Sequence, residues 1–464
     1  MGDTAALIIT LVVYKVLLLG IGFWASRRST TDADFYLGGR GLGPWVAALS
    51  AAASSSSAWT LLGVSGVAFV QGVSAIWLLP ACMGGFLLNW LVVARPLKRE
   101  AERTGAVTLT EYLAEGSPPK LHRAFIVSAS LVILSSLLIY VASQFQAAGK
   151  TFAETLDMEF STAVLIGGAV VMVYTMSGGF WAASVTDMIQ GIVMAAASIA
   201  VPLVALIEVG GFQELWNGLG NAGEMYVDPW RGKHGWTLVA FLAGTLGIGL
   251  GYPGQPHVVN RFMALRSEND IRLGTWISIV WGLVIYTGML LAGWCGRVLV
   301  GSMEDGEKIL IRLTTDLFSP VFGGIILAAI LSAIMSTADS QLLVCGSTVS
   351  YDLPKGKGKR RILLNRLTIL GLGGAAILAA INLSTSIFDS VLFAWSGLGA
   401  AFGPLLLVRL SGRRVASSWA LASLWTGFLV TLAWVPIKPM VGGLYELVPA
   451  FSAAMLCVVL GIRR

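Results

Sequence analysis

Apolar runs long enough to cross a bilayer recur along nearly the whole of this chain, and that recurrence leaves few folds open. They fall at residues 4–25, 43–70, 72–94, 124–148, 161–180, 185–207, 236–258, 273–298, 319–350, 362–383, 387–408, 416–436 and 445–462, thirteen in all. In hydrocarbon every backbone N–H and C=O must be satisfied within the protein, and apolar runs of this length do so as helices. The expectation is an all-α, polytopic membrane protein with about 13 transmembrane helices. Composition agrees, since 56% of the residues are hydrophobic and 12% are charged, against roughly 25% charged in soluble domains.

Basic residues set the orientation of such a chain, because cytoplasmic loops collect Lys and Arg. With the N-terminus outside, 23 of the 31 basic residues fall on inside segments, and the outer loops hold acidic stretches such as Glu304-Asp305-Gly306-Glu307. The predicted topology is N-terminus outside and C-terminus inside, in the cell (inner) membrane. The net charge of +6 is then a loop asymmetry, and the basic stretch at 355–361 reads as a cytoplasmic anchor at the lipid surface. A lipid bilayer is the expected partner, and nucleic acid is not. The first run lacks a basic leader and a small-residue cleavage site, so it reads as a retained helix. Lys15 within it has two readings, a buried pairing or snorkelling to the interface.

Chemistry-bearing residues are sparse. Cys82, Cys295, Cys345 and Cys457 stand at no metal or disulfide spacing and read as core residues. His122, His234 and His257 lie far apart and near predicted loops. Neither an enzyme site nor a cofactor is expected.

One run breaks the apolar pattern. The ninth carries Ser332, Ser336, Thr337, Asp339, Ser340 and Gln341 in its middle. On a helix Ser332, Ser336 and Ser340 recur at i, i+4 and i+8, and Asp339 joins their face one turn from Ser336. A charged Asp at the bilayer centre costs about 2.5–3.5 kcal/mol on insertion scales. That face therefore looks at protein, ion or water. Small residues that let helices pack and cross-bond give the plainer reading.

Two other runs carry the marks of a broken helix. Run two holds Ser50, Ser54, Ser55, Ser56, Ser57 and Thr60, and serines in series compete with the helical ladder for backbone groups. Either the helix breaks at mid-membrane and frees carbonyls for a cation, or the serines form a packing face. Run seven, from Gly244 to Pro256, packs five glycines and two prolines into thirteen residues, which removes donors and invites unwinding. Runs two and seven stand five spans apart, so blocks of spans two to six and seven to eleven would correspond as inverted repeats. The expected organisation is an extra helix at 4–25, a first repeat at 43–207, a second at 236–408 and two further helices at 416–462. Tyr140 and Gln144 either face a cavity or bond a neighbour. Asp187 is either an N-cap or an intramembrane acid on an ion path. Asp389 reads as a cap.

Several stretches together resemble the sodium/solute symporter family, closest to its sodium/proline branch, over essentially the whole chain. They are Tyr36-Leu-Gly-Gly-Arg-Gly-Leu-Gly-Pro44, Ala48-Leu-Ser50, Gly251-Tyr-Pro-Gly-Gln-Pro-His257 with Arg261-Phe-Met-Ala264, Met335-Ser-Thr337 with Gln341-Leu-Leu-Val-Cys345, and Ala400-Ala-Phe-Gly-Pro404. The resemblance implies a five-plus-five inverted-repeat (LeuT-like) core with sodium between helices two and nine. On matching positions the ion is held by carbonyls of Ala53, Ser56 and Ala333 and by hydroxyls of Ser336 and Thr337. Asp187 matches an acid linked to the sodium path, and Ser55, Asp339 and Ser340 are read onto that path with it. The substrate pocket takes Ser57, Tyr140, Tyr252, Gln255 and Pro256. Two positions depart: Ser55 stands where the proline branch has an Asp, and Ile248 where it has a Trp. Asp339 is a candidate to supply the missing charge.

The expected function is sodium-coupled symport of a small organic solute, L-proline or a related amino acid, with Na+ as the coupling ion. The alternatives are a proton as coupling ion, a different solute (carboxylate, sugar or another amino acid), or a transporter-like solute sensor. A sensor would be expected to append a signalling domain, and the sequence runs only to Arg464, just past the thirteenth run.

Overall fold

The computed structural model describes residues 3–26, 36–177, 179–353, 359–382 and 385–463. Among them the structure is helical, with isolated bridges from Leu42 to Leu265 and from Val415 to Ile462 instead of a sheet. The order is α1 (Asp3–Ser26), α2 (Pro44–Ser55), α3 (Val64–Gln71), α4 (Leu78–Leu87), α5 (Ala94–Thr104), α6 (Pro119–Leu156), α7 (Phe160–Ser177), α8 (Phe180–Val209) and α9 (Gly235–Gly247). It continues with α10 (Pro256–Met263), α11 (Asp270–Val300), α12 (Ile309–Leu317), α13 (Pro320–Ser347), α14 (Lys359–Asn382), α15 (Ile387–Leu410), α16 (Ser417–Trp434) and α17 (Leu447–Leu460). Proline opens α2, α6, α10 and α13, where its missing N–H is no loss and its φ suits the first turn.

Nine helices among the described residues are long and apolar enough to cross a membrane. One of them, Trp59–Thr104, has 46 residues. That is about 69 Å of helix, twice a bilayer core, and Gly72, at φ 64°, turns the chain within it. The remaining expected spans fall on elements that are short or more polar. α2 has 12 residues, Phe160–Met176 and Leu447–Leu460 are short apolar helices, and α16 carries Ser417, Ser418, Thr426 and three tryptophans.

Burial sorts the bundle into centre and rim. In α13 and α15 the most apolar window is 83% buried, whereas in α1 it is 22% and in α14 28%. α11 approaches its neighbours closely through glycine: a Cβ on Gly288 would lie 1.9 Å from the Ser198 carbonyl of α8, and one on Gly293 2.3 Å from the Ser65 carbonyl of α3. Such contacts replace the missing hydrophobic drive between helices in lipid.

Both expected breaks are present. α2 stops at Ser55, Ser56 takes φ −111° and ψ 69°, and helix resumes as a π turn at Trp59–Gly63. α9 passes at Ile248 into a tight 3-10 segment that ends at Gly254, Gln255 is extended, and Pro256 starts α10.

Several side-chain expectations change. Asp187 is not an N-cap, because α8 begins at Phe180 and leaves it about two turns inside, fully buried. His257 stands just past the second break, near the start of α10, but is buried, edge-on to Tyr140 at 6.0 Å. Asp389 caps from the third position, accepting from Ser386 Oγ at 2.7 Å while its own N–H donates to that hydroxyl at 3.0 Å. Lys15 points inward, its ammonium against the Met335 sulfur of α13. Cys82, Cys295 and Cys345 are buried and Cys457 is half-buried, all four free. Arg27, Arg28 and most of the basic stretch at 355–361 lie outside the described residues.

Candidate ion and solute site

The end of α2 sets free the carbonyls of its last turn, and α13 crosses there with its polar face. Ser336 Oγ donates to the Ala53 carbonyl at 3.3 Å and reaches its own Ala333 carbonyl at 3.3 Å. Thr337 Oγ1 meets the Ala53 carbonyl at 3.5 Å and the Ser54 carbonyl at 3.1 Å. Ser56 joins through its N–H, which donates to Ala52 and Ala53 carbonyls at 3.0 and 3.2 Å. Ala53, Ala333, Ser336 and Thr337 therefore converge, and Ser54 O is a member that sequence reasoning missed. A hard cation as large as Ca²⁺ holds oxygens at about 2.3–2.6 Å, which for ligands at right angles puts neighbours about 3.2–3.7 Å apart. Most of the oxygen separations here already fall in that range.

A buried ionic group continues from this cluster. Asp187 Oδ2 accepts from Ser50 Oγ at 2.8 Å, Ser54 Oγ at 3.2 Å and Arg261 Nη2 at 3.0 Å. Arg261 also donates to Ser50 Oγ at 3.0 Å, to Ser340 Oγ and to the His257 carbonyl. Ser54 Oγ closes the link to the first cluster, since the Ser336 carbonyl, 3.2 Å away, is the other acceptor within reach of its one proton. Asp339 accepts from Ser340 Oγ at 3.3 Å, and its second oxygen, like Asp187 Oδ1, is buried without a partner among the described residues. Asp339 faces a crevice with Gly22, Tyr174 and Ala183, whereas Ser55 faces the aromatic cavity described next. Its carboxylate thus belongs with Asp187 and Arg261, not with the break at Ser55.

Beside the two breaks lies a small cavity of about 10 Å³, room for about one water as the side chains stand here. Four aromatic rings wall it: Trp59, Tyr140, Tyr252 and Trp395. Ile248, Val391 and Leu392 close it, with Ser55 as its one small polar residue. Of the five expected substrate residues, Tyr140 and Tyr252 line this space. Ser57 stands behind, accepting from Trp59 N–H at 3.1 Å and bonded to Tyr140. Gln255 donates to the Gly251 and Trp395 carbonyls at 3.1 and 3.0 Å, and Pro256 only opens α10. Gln144 serves the break, its Oε1 accepting from Ala58 N–H at 3.0 Å.

The family whose sequence profile matches, over residues 35–427, is the sodium:solute symporter family. The chain belongs to it. The osmoregulated proline transporter OpuE of Bacillus subtilis (strain 168) is 34% identical, over 97% of this chain and 93% of that one. The sodium/proline symporter of Escherichia coli (strain K12) is 35% identical, over 99% and 93%. The high-affinity proline transporter PutP of Bacillus subtilis (strain 168) is 36% identical, over 95% and 94%. Among solved structures, a substrate-bound, outward-open Na+-coupled sialic acid symporter superposes with a TM-score of 0.80 at 18% identity, covering 99% of both chains. MhsT with L-phenylalanine gives 0.52 at 14% identity, over 88% of this chain and 98% of that one. These two share the fold.

This symporter is a multi-pass membrane protein and a secondary transporter, not an enzyme. Sequence reasoning gave no role to Arg261, Trp59, Val391, Leu392 and Trp395, and it named Ile248 only as a departure from the family pattern. Arg261 left a trace, as a lone cation just past a broken apolar run. Trp395 left a fainter one, as a large ring among small residues in Phe393-Ala-Trp-Ser-Gly.

Proposed function

We propose that this symporter imports L-proline or a closely related amino acid, driven by sodium held where α2 breaks against α13. The observation that carries the reading is one shared break. Ala53 and Ser54 carbonyls turn to the α13 hydroxyls, while Ser55 and Trp59, on the same few residues, wall the aromatic cavity. An ion at Ala53, Ser56, Ala333, Ser336 and Thr337 steadies the break from one side, and a solute against Ser55, Trp59, Tyr140 and Tyr252 steadies it from the other. Each pre-organises the site of the other, which is a coupling free energy between sites. Ser57 at the α2 break, and Gln255 and Pro256 at the break between α9 and α10, set the backbone shape behind the solute. Asp187, Ser340 and Asp339 form the polar route toward the opposite end of the ion cluster.

The apolar rings suit a small aliphatic ring, and relatives at 34–36% identity are named for proline. A sodium ion entering down 100 mV releases about 2.3 kcal/mol, enough for about fiftyfold solute accumulation per ion. The reading includes thirteen crossings with the N-terminus outside, repeats at 43–207 and 236–408 that rock about the site, and two helices at 416–462. The inner membrane is its place.

Labelled-proline uptake into proteoliposomes, under imposed sodium, potassium and proton gradients in turn, tests it. Uptake only with inward sodium is expected, and Thr337→Ala should raise the sodium concentration for half-maximal uptake at least tenfold. Uptake driven by a proton gradient without sodium would overturn the coupling. No proline uptake under any gradient would overturn the solute.

A further inference from the structure

Trp395 sits where the cavity and the second break meet. Its indole N–H donates to the Ile248 carbonyl at 3.1 Å, and its own carbonyl accepts from Gln255 at 3.0 Å. The residue therefore grips both ends of the 3-10 segment. Tyr252, between those ends, stands edge-on to the indole at 4.7 Å with ring planes at 79°. Glycine permits the approach: a Cβ on Gly251 would lie 2.1 Å from the indole nitrogen, and one on Gly399 2.7 Å from Gly251 Cα. Turning the indole would strand a buried N–H, so its ring is a fixed wall.

Ser55, Tyr140, Tyr252 and Trp395 already spend their side-chain polar atoms on protein, while the buried Trp59 Nε1 has no partner among the described residues. Ser55 Oγ donates to the Ala52 carbonyl at 2.9 Å, the Tyr252 hydroxyl lies 3.3 Å from that of Tyr286, and Tyr140 is bonded to Ser57. Discrimination among solute side chains then falls mainly to shape and aromatic faces, with the Trp59 N–H as the one side-chain donor of the lining left without a partner among the described residues. Position 248 contributes only an aliphatic side chain, so on this side of the cavity the aromatic face is that of residue 395.

We propose that Trp395 is a specificity-determining residue, the wall against which the ring of a cyclic amino acid seats and the source of a preference for ring over linear side chain. The proposal rests on the assignment of this cavity as the solute site. The test is labelled-proline uptake in proteoliposomes at a fixed inward sodium gradient, by wild type, Trp395→Phe and Trp395→Leu, with alanine as the linear competitor. Trp395→Phe keeps a ring and should raise KM for proline by less than about threefold. Trp395→Leu should raise it about tenfold and shift the proline-to-alanine preference by a similar factor, with Vmax and sodium half-saturation within about twofold.

A packing role alone would behave differently. Sodium half-saturation and Vmax would then worsen in both variants while the proline-to-alanine ratio held, and that result overturns the proposal. Trp395→Leu with unchanged KM overturns it as well. Wild-type protein that takes up no proline would instead remove the solute assignment, and the stated ring preference with it. That outcome is seen before any variant is examined.

Discussion

Asp187 and Arg261 show how single residues hold this interior. Neither has access to water, and Arg261 Nη2 lies 3.0 Å from Asp187 Oδ2. Removing one partner of a buried pair leaves an uncompensated charge and costs about 3–5 kcal/mol. Asp187→Asn should therefore lower the thermal unfolding midpoint of the detergent-purified protein markedly, whereas Ser50→Ala, which removes one bond of several, should lower it only slightly. Equal midpoints for Asp187→Asn and wild type would sink this view of the pair. At the surface Glu159 works differently. It accepts from Ser161 Oγ, from Ser161 N–H at 3.1 Å and from Thr162 N–H at 3.0 Å at the start of α7. These bonds, the Ser161 hydroxyl first, lower its pKa from the ordinary 4.5 to about 2. A depressed carboxylate contributes stability that is fully present above its unfolded pKa and is lost as pH falls through the folded one. The gap in unfolding midpoint between wild type and Glu159→Ala should thus persist at about pH 3.5 and close only near pH 2. A gap that closes by pH 4 would contradict the lowered pKa.

Between elements the same close fit that shapes the cavity makes it vulnerable from behind. A Cβ on Gly85 of α4 would lie 2.1 Å from Tyr252 Cδ2, so Gly85→Ala must displace that ring, which lines the aromatic cavity. Overpacking of this kind costs about 1–3 kcal/mol. Solute KM should rise at least tenfold while sodium half-saturation stays within twofold, and equal changes in both would show a general loss of fold instead. Glu307 ties two elements together. It accepts from Lys150 of α6 at 2.6 Å and from Ile387 and Phe388 N–H groups at the start of α15 at 3.0 and 2.8 Å, and Phe388 stacks on Trp59 at 5.3 Å. Glu307→Ala should loosen α15 from α6, read as faster hydrogen exchange at residues 387–390. The breaks were legible in the sequence because serine runs and Gly/Pro clusters act locally on the backbone. Ser336 and Thr337 were legible because hydroxyls in an apolar run need a reason. The wall from α15 was not, since Val391, Leu392 and Trp395 have the composition of any lipid-facing or core stretch. Nor was the Asp187–Arg261 pair, whose members stand 74 residues apart with no local pattern tying them.

For the whole molecule the open quantity is how the helices thread the membrane. Length and composition alone pick out nine crossings among the described residues, yet thirteen apolar runs are present. Both counts are odd, so the location of the two termini does not separate them; interior loops do. With thirteen crossings the turn at residues 411–414 between α15 and α16 is cytoplasmic, and the turn at residues 435–443 between α16 and α17 is outside. Arg413 and Arg414 in the first of these fit the positive-inside rule, while the second holds Lys438 alone, and that side chain pairs with Glu446 at 3.2 Å. Helical geometry agrees, because the 18 residues of α16 give about 27 Å, close to the hydrocarbon thickness. Single cysteines at these two turns decide it, since three native cysteines are buried and Cys457 is half-buried. In intact cells a membrane-impermeant maleimide should label Lys438→Cys and spare Arg413→Cys until the membrane is opened. Labelling of Arg413→Cys from outside would reverse the topology. Labelling of neither would mean that α16 and α17 lie on the inner surface without crossing, which would leave the two-repeat core with α1 as the only helix added to it.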